Sequence, residues 1–196
     1  MLYHPKERPI EKPSLIGTDV KTEDQIKVVL DKTPPSAWDD KWSPQSLALE
    51  WLVYVDKTAL FMESEEDIQE RFAAATLFFG TNGEEWKSSL GFLEKDSICD
   101  WNVEGTKEDL GIFCVDGRVT KINIVNHAMS GTLTSDLNYF SELVILNLYF
   151  NDLTGPIPDL SSLVKLEQMD LDDNNLSGKI PESLFNMPNL GTFGLY

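Results

Sequence analysis

Residues 143–158 read Leu143-x-x-Leu146-x-Leu148-x-x-Asn151-x-Leu153-x-Gly155-x-Ile157-Pro158, and residues 166–181 repeat this pattern position for position. A looser copy begins at Val119 and a partial one at Leu190, so successive copies start 24, 23 and 24 residues apart. Repetition at this period is typical of a solenoid, in which each copy forms one coil. A single coil cannot bury its own apolar face, so the coils must stack on one another.

Each copy opens with an alternating apolar segment, which predicts a short strand with one buried face. Asn151 and Asn174 follow that segment in two copies, and His127 takes the same position in the first copy. An amide both donates and accepts hydrogen bonds, so it can pair with turning backbone that no sheet reaches. We therefore predict an α/β solenoid with short parallel strands over residues 119–196, held by a structural ladder of His127, Asn151 and Asn174.

The segments LTGPIPDL (residues 153–160) and LSGKIPESL (residues 176–184) resemble the plant-type leucine-rich repeat. The resemblance covers about residues 119–196 and implies a coil of parallel strands. The last copy stops within its strand at Leu195-Tyr196. Because a solenoid needs a polar terminal cap, we expect these repeats, three and a part, to be a truncated piece of a longer array.

Residues 42–118 predict a helical cap in front of the coil. Ser43-Pro44 is a favourable helix start, because a hydroxyl suits the N-cap and proline suits the first turn. A second apolar stripe follows Ser64, and the acidic Glu65 and Glu66 favour the N-terminus of a helix there. Residues 1–41 are rich in charge and proline, so we predict an extended polar arm in that segment.

Two parts of the cap carry a family resemblance. Cys99-Asp100-Trp101 and Cys114, followed by Gly117-Arg118-Val119-Thr120, resemble the N-terminal cap of plant leucine-rich repeat receptors. The segments SPQSLALEWL and RFAAATLFFGTNGEEW are similar to leucine-rich repeat receptor-like proteins of diatom-type algae. The resemblance implies a disulfide between Cys99 and Cys114, and two reduced thiols in a cytosolic chain are the alternative.

A disulfide would indicate an extracellular or cell-surface location, or another oxidising compartment outside the cytosol. Residues 1–12 are polar and lack the apolar core of a signal peptide. The two observations agree if the chain is part of a longer protein. No run of 18 apolar residues occurs in the sequence, so we expect no membrane span in this chain.

The chain has 33 acidic and 16 basic residues and a formal net charge of −17. This balance argues against nucleic acid and against anionic lipid as partners. Only His4 and His127 supply imidazole groups, and neither lies near a recognisable nucleophile motif. The acidic residues around Glu65 lack the spacing of a calcium loop. We therefore expect no enzyme activity, no metal site and no cofactor.

The strands present their solvent-facing side chains on the concave face, where we place the candidate binding site. Tyr149 and Phe150 put two aromatic residues where solvent is expected, and exposed apolar patches often mark interfaces. The next copy supplies an acidic stripe, which favours a basic or hydroxyl-rich partner. The alternative is that the cap or the arm covers the aromatic pair. The candidate binding residues are Asn123, Val125, Asn147, Tyr149, Phe150, Asp170, Asp172 and Asp173.

Three functions fit this pattern. The leading hypothesis is a non-catalytic, receptor-like ectodomain that recognises a protein or other ligand, as the family resemblance implies. A structural subunit that scaffolds a larger assembly is the second hypothesis. A secreted enzyme inhibitor, as some plant relatives of this repeat are, is the third.

Asn175 heads an N-glycosylation acceptor sequence, Asn175-Leu176-Ser177. The repeat pattern itself, N-x-L-S-G, supplies the same letters. Both interpretations stay open on the sequence alone, and Asn175 is a candidate glycosylation site.

Overall fold

The computed structural model describes residues 22–56, 58, 64–105 and 109–195 of the chain. Its strands form two sheets, one in the order β1-β2-β3-β5-β7-β9 and one in the order β4-β6-β8. In chain order the strands are β1 (Asn102–Val103), β2 (Leu110–Val115), β3 (Arg118–Asn123), β4 (Ser130–Thr132), β5 (Ile145–Asn147), β6 (Asp152–Gly155), β7 (Gln168–Asp170), β8 (Asn175–Leu176) and β9 (Thr192–Gly194).

Successive repeats contribute one strand each to the larger sheet, and those strands run parallel. Ile145 of β5 pairs with Lys121 of β3 on one side and with Gln168 of β7 on the other. The next residues, Leu146 and Met169, point into the coil and are completely buried. Each coil thus buries its apolar stripe against its neighbours, which confirms the predicted α/β solenoid.

The smaller sheet runs along the coil beyond the ladder positions, and the sequence analysis did not predict it. Its strands are only two to four residues long, too short to show an alternating pattern. Gly155 closes β6 with φ at +77°, a conformation that glycine adopts without strain. A Cβ at this position would also lie 3.0 Å from Thr132 Cγ2 on the neighbouring coil.

The ladder amides connect each coil to the one before it. Asn151 Nδ2 donates to Ile124 O at 2.7 Å, and its Oδ1 accepts the backbone N–H groups of His127 and Met129 at 2.9 and 3.1 Å. Asn174 makes corresponding bonds one coil later. Backbone groups that no strand pairs are thereby satisfied inside the molecule.

Among the described residues, three α-helices precede the coil: α1 (Glu23–Val29), α2 (Pro44–Tyr54) and α3 (Glu65–Gly80). Ser43 caps α2 and Ser64 caps α3, each hydroxyl accepting a backbone N–H at 3.0 Å. Helices α2 and α3 pack against each other, and the antiparallel strands β1 and β2 join them to β3. A helical cap therefore precedes the coil, as the sequence predicted.

A buried cation lies at the centre of the cap. The Arg71 guanidinium carbon lies 5.3 Å from the ring centre of Trp51 and 5.0 Å from that of Trp101. The same guanidinium pairs with Asp56, and both side chains are only 3% exposed. A charge at this depth is tolerated because it is paired, hydrogen-bonded and faces aromatic rings. Three segments that carry the family resemblance therefore meet at one contact.

The disulfide implied by the resemblance is present. Cys99 and Cys114 are bonded, with Cα atoms 5.5 Å apart and a sequence separation of 15 residues. The bond ties the loop that contains Trp101 to strand β2, and it leaves no free cysteine in the chain.

We expected an extended arm over residues 1–41, but residues 22–41, the described part of this segment, do not form one. Residues 1–21 lie outside the described residues, whereas helix α1 and the segment after it pack on the cap. Ile26 and Leu30 are each 2% exposed. Two apolar residues are too few to predict a helix in a segment rich in charge and proline. They are enough, however, to bury one side of a short helix.

The segment after α1 also reaches the first repeat. Thr33 Oγ1 donates to Asp136 Oδ1 at 2.6 Å, and Thr33 N donates to the Tyr139 hydroxyl at 3.0 Å. Gln45 of α2 donates to the other carboxylate oxygen of Asp136 at 2.6 Å. Asp136 is fully buried, so these contacts satisfy a charge that has no access to water.

Candidate functional site

The first group of predicted binding residues lies at the ends of the parallel strands. Asn123, Asn147 and Asp170 are register partners on β3, β5 and β7. Asn147 and Asp170 are half-buried, but Asn123 is only 7% exposed. Asn123 Nδ2 donates to Asp109 O at 2.6 Å, at the start of β2. Asn123 therefore differs from the surface residue that the sequence predicted, because an antiparallel strand lies beside it.

Tyr149 and Phe150 form the exposed aromatic pair of the middle coil. They are 38% and 52% exposed, and their ring centres lie 5.9 Å apart. Within the described part of the chain, neither the cap nor residues 22–41 of the N-terminal segment cover them. The half-buried Val125 lies at the position equivalent to Tyr149 in the preceding coil.

Two side chains at the strand ends hydrogen-bond to the backbone that follows each strand. Asn147 Oδ1 accepts the N–H of Tyr149 at 3.1 Å, and Asp170 Oδ1 accepts the N–H of Asp172 at 3.1 Å. Asn and Asp commonly make this local bond to the residue two positions on. The bonds hold Tyr149 and Asp172 at equivalent places on adjacent coils.

Three carboxylates, those of Asp170, Asp172 and Asp173, act on the Tyr149 hydroxyl. Hydrogen bonding to Asp173 and the negative charge of that carboxylate raise the pKa of Tyr149 above its ordinary value. Loss of the phenolic proton would place two negative charges side by side. The site therefore joins an aromatic surface to a negative potential, a combination that attracts cations.

The aromatic pair faces two different surfaces. Phe150 has a left-handed backbone, with φ at +56°, and so have its equivalents Asn126 and Asp173, at +50° and +53°. Asn and Asp adopt this conformation readily, whereas a bulky residue seldom does. After this turn, Phe150 and Asp173 line a groove beside the ladder, and Tyr149 does not.

This groove, here called the ladder groove, has a volume of about 530 Å³. It is lined by the residue before and the residue after each ladder position, and by the ladder amides of Asn151 and Asn174. Lys87 of the cap closes one end, with Nζ 2.5 Å from Asn126 Oδ1. Some of these residues were predicted separately from the repeat pattern, but the groove that they share was not predicted from the sequence. The residues before and after the ladder are Asn126, Phe150, Asp173, Ala128, Asp152 and Asn175.

His127 joins the first coil to the cap. Its Nε2 lies 3.2 Å from both Ser88 N and Ser88 Oγ, and its ring centre is 6.2 Å from that of Trp86. Burial lowers the pKa of His127 below its ordinary value. These contacts support a structural role at the ladder position.

The described residues contain no group of three or more His, Cys, Asp or Glu side chains placed to hold a metal ion. A search of the same residues for a helix long and apolar enough to cross a membrane also found none.

Comparison with known proteins adds a family to this geometry. Residues 165–187 match the family model described as Leucine Rich Repeat. An inactive leucine-rich repeat receptor-like serine/threonine-protein kinase of Arabidopsis thaliana is 42% identical over 90 residues, which cover 45% of this chain and 13% of that protein. The receptor-like kinase TMK4 of the same plant is 28% identical over 127 residues, covering 65% of this chain and 12% of the kinase.

The coil, its ladder and these matches show that the chain contains leucine-rich repeats. Its cap and first repeats resemble those of plant leucine-rich repeat receptor-like kinases, and it spans 13% and 12% of the length of the two relatives described above. Among solved structures, the PEPR1–AtPEP1 complex aligns with a TM-score of 0.46 and 30% identity, over 52% of this chain and 14% of that one. The narrower resemblance to algal proteins stays a prediction.

Proposed function

We propose that this chain is a non-catalytic binding module of a receptor-like protein and recognises a protein or peptide ligand through its repeats. The observation that carries the proposal is the exposed aromatic pair, Tyr149 and Phe150, beside the carboxylates of the next coil. A fold that needed only to stack coils would gain nothing from aromatic rings left in water. The relatives' names, which describe receptor-like kinases, support the same class of function.

The ligand class follows from the shape and charge of this surface. Tyr149 and the half-buried Val125 offer apolar contact, and Asp170, Asp172 and Asp173 favour Lys or Arg side chains. We therefore expect a ligand segment that carries a basic residue next to an apolar one. The proposed contact residues are Val125, Asn147, Tyr149, Phe150, Asp170, Asp172 and Asp173. Asn123 is buried and is not proposed as a direct contact.

The proposal also places the module outside the cytosol. The bonded pair Cys99 and Cys114 supports this location, because disulfides persist in oxidising compartments.

A peptide-display selection tests the proposed ligand class. The disulfide-bonded chain, produced in bacteria and refolded, is immobilised and exposed to a random peptide library. We expect the selected peptides to be enriched in Lys and Arg beside an apolar residue, and their binding to weaken with added salt. Selected peptides without a basic bias would contradict the proposed ligand class.

Two matched variants locate the site. The triple variant Asp170→Asn, Asp172→Asn, Asp173→Asn keeps the side-chain shape and the local bond to Asp172 N, while it removes three charges. Exposed ion pairs contribute about 0.2–1 kcal/mol each, so the selected peptides should bind the variant roughly tenfold more weakly. Tyr149→Ala should also weaken binding. Equal binding to both variants and to the unchanged chain would place the ligand elsewhere.

A further inference from the structure

The ladder groove is built from equivalent positions of three coils. The residues before the ladder position are Asn126, Phe150 and Asp173, and those after it are Ala128, Asp152 and Asn175. Adjacent coils are hydrogen-bonded at this place, since Phe150 N donates to Asp172 O at 3.0 Å and Asn151 N donates to Asp173 O at 3.1 Å. Phe150 and Asn175 therefore lie on neighbouring coils and face the same groove.

Phe150 is out of place for the fold alone. Its equivalents, Asn126 and Asp173, are residue types that suit a left-handed backbone, whereas a phenylalanine is strained there. It is also 52% exposed, so about half of its surface remains in contact with water. An aromatic ring that neither suits its backbone nor fills the core is available to pack against something in the groove.

Asn175 supplies what could pack there. It heads the acceptor sequence Asn175-Leu176-Ser177, and its equivalents in the earlier coils, Ala128 and Asp152, head none. Asn175 is exposed at the edge of the smaller sheet, where β8 pairs with β6 alone among the described strands. Its side chain therefore opens both to solvent and to the ladder groove.

We propose that Asn175 carries an N-linked glycan whose first sugar lies in the ladder groove against the ring of Phe150. In the attachment step, Asn175 Nδ2 forms a bond to the anomeric carbon of a lipid-diphosphate-linked oligosaccharide. The bond from that carbon to the diphosphate oxygen breaks, the lipid diphosphate leaves with the electron pair, and the amide nitrogen loses one proton to a base. The step takes place in the secretory pathway, so the inference rests on the extracytosolic location in the proposed function.

The chemistry of the groove fits an N-acetylated pyranose. The apolar C–H face of such a ring packs well on an aromatic side chain, which covers surface that Phe150 leaves in water. Its hydroxyls and acetamide both donate and accept hydrogen bonds, and the groove offers the carboxylate of Asp152 and the ammonium of Lys87. A cavity of about 530 Å³ has room for a sugar ring.

The glycan would leave the strand face open and occupy the side of the coil. In the glycosylated protein the sugar would remove Phe150 from the proposed ligand contacts. Tyr149 does not line the ladder groove, so it stays free for a protein or peptide ligand. The approach of a ligand would then be restricted to the concave face.

The test uses the full chain, directed into the secretory pathway of a glycosylating eukaryotic host by a leader peptide, so that the native location does not affect the result. Peptide mass spectrometry after peptide:N-glycosidase treatment in heavy-oxygen water reads the occupancy of Asn175. Ser177→Ala is the matched control, because it removes the acceptor sequence and keeps Asn175. We expect glycan on most of the secreted wild-type chain and none on the control.

A thermal-unfolding cycle tests the contact with Phe150. Four secreted proteins are compared: the wild type, Ser177→Ala, Phe150→Asn, and the double variant. We expect the glycan to raise the Tm of the Phe150 protein by several degrees and to leave the Tm of the Phe150→Asn protein nearly unchanged. Asn at position 150 matches Asn126 and creates no new acceptor sequence, so this variant should fold.

Two results would overturn the inference. One is a secreted, disulfide-bonded chain that carries no glycan at Asn175. The other is an occupied Asn175 whose glycan shifts the Tm equally in the Phe150 and Phe150→Asn backgrounds. Neither result bears on the proposed ligand site, because the peptide selection uses bacterial protein without glycan.

Discussion

The carboxylate of Glu70 on α3 is paired with the guanidinium of Arg118 at the start of β3, with Oε1 3.0 Å from Nη2. Glu70 Oε2 also accepts the N–H of Val119 at 3.3 Å. The Glu70 side chain is 1% exposed and that of Arg118 is 26% exposed. Burial raises the pKa of Glu70, and the bonds to Arg118 oppose that rise. One ion pair thus joins the helical cap to the first coil.

The unequal burial of this pair predicts unequal effects of the two single substitutions. Arg118→Gln leaves a buried carboxylate without its cation, which should lower the free energy of unfolding by about 3–5 kcal/mol. Glu70→Gln leaves Arg118 close to solvent and should cost about 1–3 kcal/mol. Urea unfolding of both variants measures the difference. A larger loss for Glu70→Gln than for Arg118→Gln would show that the buried carboxylate does not determine the stability of this junction.

Substitution of the two ladder asparagines should destabilise the fold to different extents. Asn151 bonds five backbone groups at 2.7–3.3 Å, those of Ile124, Leu148, Tyr149, His127 and Met129. Each unsatisfied buried group costs about 1–3 kcal/mol, so Asn151→Ala should unfold the chain or lower its stability by several kcal/mol.

Asn174 provides the matched comparison, because it is half-buried and water can replace part of its bonding. Asn174→Ala should therefore be less destabilising than Asn151→Ala in the same urea titration. Similar losses for the two variants would mean that burial does not set the value of a ladder amide.

The disulfide predicts a fixed contribution to stability. The bond closes a 15-residue separation, for which the chain-entropy model gives about 3 kcal/mol. The double variant Cys99→Ser, Cys114→Ser should lose that amount, and a reducing agent should lower the Tm of the wild type but not of the variant. Peptide mapping without reduction identifies the bond directly. Two free thiols in the oxidised protein would contradict the structure.

His127 predicts a pH dependence. Its folded-state pKa is lowered by burial, so the unfolded chain binds its proton more readily. The neutral histidine therefore contributes full stability above the unfolded pKa of about 6.5, and this contribution falls as the pH drops below that value. The Tm of the wild type should fall between pH 7.5 and 5.5, as scanning calorimetry would show. His127→Asn, which restores the usual ladder residue, should fall less over the same range; an equal fall in both proteins would assign the effect to other groups.

Phe150 predicts a gain in stability on substitution. A non-glycine residue in the left-handed conformation costs about 1–2 kcal/mol, and Asn reduces that cost. Phe150→Asn should therefore stabilise the unglycosylated chain by up to about 1 kcal/mol in urea unfolding, and at the same time weaken the binding of selected peptides. Phe150→Leu serves as the control, because it keeps an apolar residue with the same backbone strain. A loss of stability in Phe150→Asn would be the contrary result, since it would give the ring a role in the fold.

The candidate site shows where sequence reasoning stops. The exposure of Tyr149 could be foreseen, because it follows Leu148, the last buried leucine of the alternating segment. The burial of Asn123 could not, since it depends on Asp109 and β2, which pair with β3 only after the chain has turned back on itself. The ladder groove also escaped prediction, because its walls come from residues that belong to different coils.

The repeat period determined the coil, its parallel strands and the positions of the ladder residues, because each depends on a pattern that recurs within 24 residues. The helix starts at Ser43 and Ser64 are equally local. Tertiary structure alone decided that Arg71 contacts both Trp51 and Trp101. Such contacts join segments far apart in the chain, and no local preference of the backbone specifies which distant side chains will meet.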